Sequence, residues 1–255
     1  MHSITRRSKC EVTQSRNGIA ALFGPKDEVI PGVLYGRPDG LLSPAYWVMR
    51  CHAEPPASID FVNRNGKLEE EIGFCLLGGY GIRMEIAAAY FRRLKSHGVF
   101  EQTATENEIL QLLMMPVCLD GHQARYRFPR QRAHRLYSAI HDLASMELNT
   151  SDAVTLRNQL QSLEGVGPKT ASWIVRNWLG ADSVAILDIH VLRAGWTMGL
   201  FERARRLPQH YPELEQRFIL FAERLQLRAS VLDAVMWTDM RKFGSRLFRT
   251  LSMNT

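Results

Sequence analysis

A chain of 255 residues with 45% hydrophobic content is long enough for one large domain or two small lobes, and it should bury a core of its own. Lys and Arg number 32 against 26 Asp and Glu, a formal charge of +6 that suits a polyanionic partner. The N-terminus has no apolar stretch of signal-peptide length, and no later run approaches about eighteen uncharged apolar residues, which argues against secretion and a membrane span.

Cys10, Cys51, Cys75 and Cys118 show no short metal-ligand spacing and read as reduced thiols of a cytoplasmic protein, nucleoid-associated if the source is prokaryotic. Residues 1–60 are punctuated by Gly24-Pro25, Pro31-Gly32, Pro38-Asp39-Gly40 and Pro55-Pro56, a pattern of loops with short elements. From Leu68 to Leu94 apolar residues recur at helical spacing around Gly78-Gly79-Tyr80-Gly81, which predicts two helices joined by a glycine turn. Thr105 with Glu108 forms a capping-box pattern opening a helix that Pro116 ends. Helical patterns continue over 130–146 and 152–163, with Asn149, Thr150 and Ser151 as candidate caps for the second. After Gly195, stretches 213–225 and 230–243 are again helical in period, and the whole is mostly α.

The passage with chemical content is Leu163-Glu164-Gly165-Val166-Gly167-Pro168-Lys169-Thr170-Ala171-Ser172, followed by Leu187-Asp188-Ile189-His190-Val191. A helix ends near Leu163, a tight turn follows, and a second helix starts at Pro168, since proline is tolerated in a first turn. Gly165 and Gly167 let turn and helix amides approach a phosphate without reading sequence; an ordinary interhelical turn is the plain alternative for Gly-x-Gly alone. Lys169 sits where the helix dipole disfavours a cation, so something other than local stability selects it. Its helical face also carries Ser172, Trp173 and Arg176, where an aromatic ring and a second cation would favour the neutral, nucleophilic amine. A solvated surface lysine is the alternative.

On these residues the sequence resembles the helix-hairpin-helix DNA glycosylase superfamily, which has a Gly/Pro-rich hairpin, a lysine shortly after it, and an aspartate in an Asp-x-His-Val segment. The 19-residue separation of Lys169 from Asp188 is similar to the 8-oxoguanine branch, and 126–133, Tyr-Arg-Phe-Pro-Arg-Gln-Arg-Ala, resembles that branch's approach to a helix. The resemblance implies an all-α, two-lobed fold with the active cleft between the lobes. Residues 1–255 would form one glycosylase unit, with lobe A at about 64–182, ending in the helix-hairpin-helix, and lobe B at about 1–63 plus 183–255. It implies Lys169 and Asp188 as catalytic residues, and Gly165, Val166, Gly167 and Thr170 as DNA contacts. Endonuclease III-like members carry a four-cysteine iron–sulfur site near the C-terminus, but no cysteine follows Cys118, so no cluster is expected. The glutamine-rich helix end common in the superfamily is replaced by Gly78 to Ile82, which leaves Tyr80 and Ile82 as intercalation candidates.

Asp233 and Trp237 stand four apart on one helical face and are similar to the pair that holds the extruded purine in archaeal GO glycosylases; with Trp173 they are the candidate base pocket. Core packing is the competing reading of Trp237. Arg127, Arg130 and Arg132, in a run that also holds Arg125 and Arg135, are candidate phosphate contacts, against the alternative of a solvated basic face. His190 and His134 have no second ligand at helical spacing and read as hydrogen-bonding residues, with His190 also a candidate DNA contact.

The implied activity is that of a bifunctional DNA glycosylase and AP lyase that excises an oxidised purine, foremost 8-oxoguanine, through a lysine Schiff base and cuts by β-elimination. The implied enzyme is a monomer acting on double-stranded DNA with a damaged base. It needs no membrane, metal or redox cofactor, though family analogy allows a monovalent cation at the hairpin. A glycosylase for an oxidised pyrimidine or a mismatch, a non-catalytic helix-hairpin-helix binding module, and a helical scaffold with a basic surface are the alternatives.

Overall fold

The structure, a computed structural model, describes residues 23–53, 66–79, 81–101 and 104–252. Ten α-helices and two small hairpins make up the described residues. A short antiparallel pair, β1 (Glu28–Ile30) and β2 (Val33–Leu34), leads into α1 (Pro44–Ala53). Then come α2 (Leu68–Leu77), α3 (Met84–Ser96), a 3-10 turn at Val99–Glu101 and α4 (Glu106–Met114). A second hairpin, β3 (Val117–Leu119) and β4 (His122–Ala124), turns through Asp120 and Gly121, both at positive φ as a two-residue turn of this type requires. The chain closes with α5 (Pro129–Leu143), α6 (Ala153–Leu160), α7 (Pro168–Leu179), α8 (Ile189–Thr197), α9 (Tyr211–Arg224) and α10 (Ala229–Ser252).

Local chemistry explains several of these boundaries. Thr105 Oγ1 accepts the Glu108 amide at 3.3 Å while Glu108 Oε2 accepts the Thr105 amide at 2.7 Å, completing the expected capping box of α4. The cap of α6 differs from expectation: Asp152, not Asn149, Thr150 or Ser151, accepts the Thr155 amide at 2.6 Å, because only Asp152 stands three residues before that orphan donor. Asn149 instead holds the preceding turn, accepting from the Ser151 amide and hydroxyl. Helix α7 ends at Gly180 in the left-handed region, φ 66°, a conformation that costs glycine nothing.

Among the described residues the buried apolar side chains form two separate clusters. One gathers β1, β2, α1, α8, α9 and α10 around Trp47, Phe218, Phe221 and Met236. The other gathers α2 to α7 around Ile72, Leu77, Tyr90, Leu136 and Ile174. Each fully buried side chain of this size contributes about 1.5 to 3 kcal/mol, so each cluster is a core in its own right. The chain crosses from one to the other between Val184 and Ala185, three residues before Asp188. Buried ion pairs span the two: Arg157 of α6 meets Glu215 of α9 at 2.9 Å, and Arg176 of α7 meets Asp233 of α10 at 3.0 Å. Among the described residues, no helix is long and apolar enough to cross a membrane.

Candidate active site

Helices α6 and α7 with the turn between them form the helix-hairpin-helix. Gly165 takes φ +83°, and the Arg135 side chain lies so close that a Cβ there would stand 2.5 Å from Arg135 Cδ. Gly167 has open space where its Cβ would be, so the exposed mouth of the turn is left clear. Val166 contributes differently: its side chain is 4% exposed in the α2–α7 core and its amide donates to the Leu163 carbonyl at 3.1 Å, so it anchors the turn. Lys169 and Thr170 are half-buried in the first turn of α7, where helix geometry offers their amides no acceptor. His134 ties the turn to α4, with Nε2 3.1 Å from Glu164 and Nδ1 3.1 Å from Glu106. Its pKa is raised, first by the Glu106 hydrogen bond and then by the Glu164 and Glu106 charges.

A buried polar cluster joins α2 to α7. Glu71 Oε1 accepts from Asn177 Nδ2 at 2.8 Å and from the Cys75 thiol at 3.5 Å. Burial pushes the Glu71 carboxyl up, and the same cause pushes the Cys75 thiol up, with the Lys169 and Arg176 charges opposing it. Trp173, one turn along α7, is half-buried against Phe74, with ring centroids 5.9 Å apart and planes at 73°. A Cβ at Gly78 would stand 2.8 Å from Trp173 Cη2, so the end of α2 can close on the indole only as glycine.

Asp188 caps α8, its Oδ1 accepting the His190 amide at 2.8 Å and the Val191 amide at 3.1 Å. The carboxylate is half-buried and its charge reaches Asp233. His190 therefore meets Asp188 through its backbone, while its Nδ1 is buried without a hydrogen-bond partner among the described residues.

The base-pocket candidates differ in exposure and partners. Trp237 on α10 is half-buried and, among the described residues, belongs to neither apolar cluster; Arg241 stacks on its ring at 5.0 Å and donates to Glu85 of α3 at 3.2 Å. Asp233 is 2% exposed with both oxygens engaged, Oδ1 by Arg176 and Oδ2 by the Ile186 amide at 2.9 Å. Burial raises its pKa to about 6 although Arg176 pulls the other way. Desolvation of a carboxyl lodged between two helices outweighs its one ion pair.

The basic run divides in the same manner. Arg130 is exposed at the start of α5, but Arg132 Nη2 donates to the Gly78 carbonyl at 3.3 Å and Arg127 Nη1 packs over Gly81. Two of the three candidate phosphate contacts thus brace the glycine turn after α2. Ile82 is half-buried against the α2–α7 core, and Tyr80 lies outside the described residues. Among the described residues, no group of three or more His, Cys, Asp or Glu side chains is arranged to hold a metal ion.

Sequence reasoning missed Glu215, Tyr211 and Arg157. Glu215 interrupts the apolar stripe Tyr211, Leu214, Phe218 and Phe221 of α9, and a carboxylate on a core-facing stripe signals a buried polar contact.

Comparison with known proteins identifies the family and the fold. A family model for 8-oxoguanine DNA glycosylase matches residues 58–227. The 8-oxoguanine DNA glycosylase of Methanocaldococcus jannaschii superposes with a TM-score of 0.57 at 26% identity, covering 76% of this chain and 91% of that one. The 8-oxoguanine DNA glycosylase of Thermotoga maritima gives 0.53 at 25% identity, covering 67% and 77%. A Methanocaldococcus jannaschii 8-oxoguanine glycosylase/lyase in complex with a 15mer DNA containing 8-oxoguanine gives 0.52 at 26% identity, covering 70% and 84%. A search of curated proteins returns no match. With its hairpin, its two helix starts and a family match over most of its length, the chain belongs to the 8-oxoguanine DNA glycosylase family and is a DNA glycosylase of the two-lobed helix-hairpin-helix fold.

Proposed function

We propose that this protein excises 8-oxoguanine from duplex DNA with Lys169 as nucleophile and then cleaves the strand as a lyase. The observation that carries the reading is the placement of Lys169 in the first turn of α7 and Asp188 at the N-cap of α8, two helix starts reached from adjoining turns of one motif. The Methanocaldococcus jannaschii relative is itself described as a glycosylase/lyase on DNA containing 8-oxoguanine.

In this reading the hairpin amides and Arg130 hold phosphates, and the damaged purine leaves the stack to meet the face of Trp237. Asp233 stands one helical turn behind the indole. Asp188 stabilises positive charge growing on the sugar. The Lys169 amine forms a bond to C1′ as the bond from C1′ to the base nitrogen breaks, and the base departs with that electron pair. Opening of the sugar ring gives a protonated imine. Loss of a C2′ proton then expels the 3′ phosphate by β-elimination, and hydrolysis of the imine frees the enzyme.

Borohydride added to protein and a duplex with one 8-oxoguanine should trap a covalent adduct that peptide mapping places on Lys169. Lys169→Gln should lose both the adduct and strand cleavage while keeping most affinity for DNA, since the hairpin amides and the other cations remain. Trapping of Lys169→Gln at the wild-type rate would assign the chemistry to another amine. Excision without trapping would assign it to an activated water, with Asp188 as the central residue.

A further inference from the structure

The segment Ala185–Leu187, which carries the chain into Asp188, has three successive backbone amides held by side chains from two helices. Ala185 N–H donates to Glu215 Oε1 at 2.9 Å, Ile186 N–H to Asp233 Oδ2 at 2.9 Å, and Leu187 N–H to the Tyr211 hydroxyl at 3.2 Å. The Tyr211 hydroxyl in turn donates to the Ala185 carbonyl at 2.6 Å. All three side chains are almost fully buried: Tyr211 1% exposed, Asp233 2% and Glu215 3%.

A strand that pairs with a sheet has its amides satisfied by backbone, and a loop has them satisfied by water. This segment does neither. A buried carboxylate costs several kcal/mol unless it is paired, so two of them spent on backbone amides need a compensating reason. Each is paired, and its partner is an arginine of the helix-hairpin-helix: Arg157 of α6 for Glu215 and Arg176 of α7 for Asp233. Glu215 Oε1 also accepts the Ser172 hydroxyl at 2.9 Å. One oxygen atom thus joins Ser172, three residues after Lys169, to Ala185, three residues before Asp188.

We propose that Glu215 and Tyr211, with Asp233, are positioning residues that clamp the Ala185–Leu187 segment against α7 and so set Asp188 relative to Lys169. The inference rests on the assignment of those two residues as the catalytic pair. The clamp crosses the junction between the two apolar cores, where packing alone leaves relative position soft and charged hydrogen bonds fix it. An aspartate held a fraction of an ångström out of place loses much of its effect on a charge developing at the sugar.

The test is a double-mutant cycle read by single-turnover excision from a duplex with one 8-oxoguanine. Tyr211→Phe removes the hydroxyl that bridges Leu187 and Ala185, and should slow excision about tenfold while leaving affinity for undamaged duplex within about twofold. In an Asp188→Asn background the same substitution should cost less than about twofold more, because a residue that acts through Asp188 has little left to act on. Equal slowing in both backgrounds, or unchanged excision by Tyr211→Phe, would overturn the clamp. If circular dichroism shows Tyr211→Phe unfolded, Ser172→Ala, which removes the hydroxyl that ties Glu215 Oε1 to α7, runs the same cycle under the same criteria. Asp188→Asn excising at the wild-type rate would be a different failure, one that removes the catalytic pair itself and the clamp with it.

Discussion

Arg135 lies across Gly165, so that the hairpin keeps its shape by having no side chain where the arginine stem passes. The positive φ of Gly165 adds a second constraint that only glycine meets without strain. Gly165→Ala should therefore destabilise the protein by about 1 to 3 kcal/mol and loosen the turn. Thermal denaturation should show the loss, and affinity for undamaged duplex should fall with it. An unchanged melting temperature together with unchanged affinity would show that the turn does not depend on this contact.

Asp188 has a capping role separable from its proposed chemistry. Asparagine keeps the oxygen that accepts the His190 and Val191 amides, so Asp188→Asn should fold with near wild-type stability, whereas Asp188→Ala should cost about 1 kcal/mol. Both should lower excision about a hundredfold or more, the scale expected when an electrostatic stabiliser is lost. Comparing melting temperatures and single-turnover rates of the two variants separates cap from charge.

Among the described residues Trp237 stands outside both cores, with Arg241 over its ring. Its replacement by alanine should reduce discrimination between 8-oxoguanine and guanine more than affinity for undamaged duplex, because stacking acts on the extruded base alone. Equal losses in both, with a large drop in melting temperature, would make the indole a packing element.

Arg176→Met should be among the more damaging single changes, at about 3 to 5 kcal/mol, since it leaves Asp233 buried without its cation. The effect should depend on pH. Burial raises the Asp233 pKa from 3.8 to about 6 in the folded protein, and losing Arg176, which lowers it, moves it further up. A carboxyl with a raised folded pKa binds its proton more tightly when folded, so its contribution is fully present below about 3.8 and is lost as pH rises through 6. The deficit of Arg176→Met relative to wild type should thus be smaller at pH 5 than at pH 8, as thermal melts at the two values would show. A deficit independent of pH would mean that Asp233 stays charged in the variant.

What the sequence by itself determined was whatever depends on neighbours a few residues away. The capping box at Thr105, the proline start of α7, the glycine end of α2 and the separation of Lys169 from Asp188 are all local, because a cap or a turn is completed by amides within about four residues. The hairpin through Asp120-Gly121 was legible by the same logic, but three-residue strands carry too little alternation to stand out beside longer helical periods. Helix α1 was hidden among the glycines and prolines on either side of it. Only the tertiary structure decided that Arg132 and the exposed Arg127 lie against the glycine turn, that Asp233 is sealed behind Arg176, and that Glu215 joins the flank of Lys169 to that of Asp188. Those contacts link positions 30 to 57 residues apart in the chain. Helical period shows which face is buried, and it leaves open which distant donor a buried carboxylate will meet, since that depends on how two separately formed cores are set against each other.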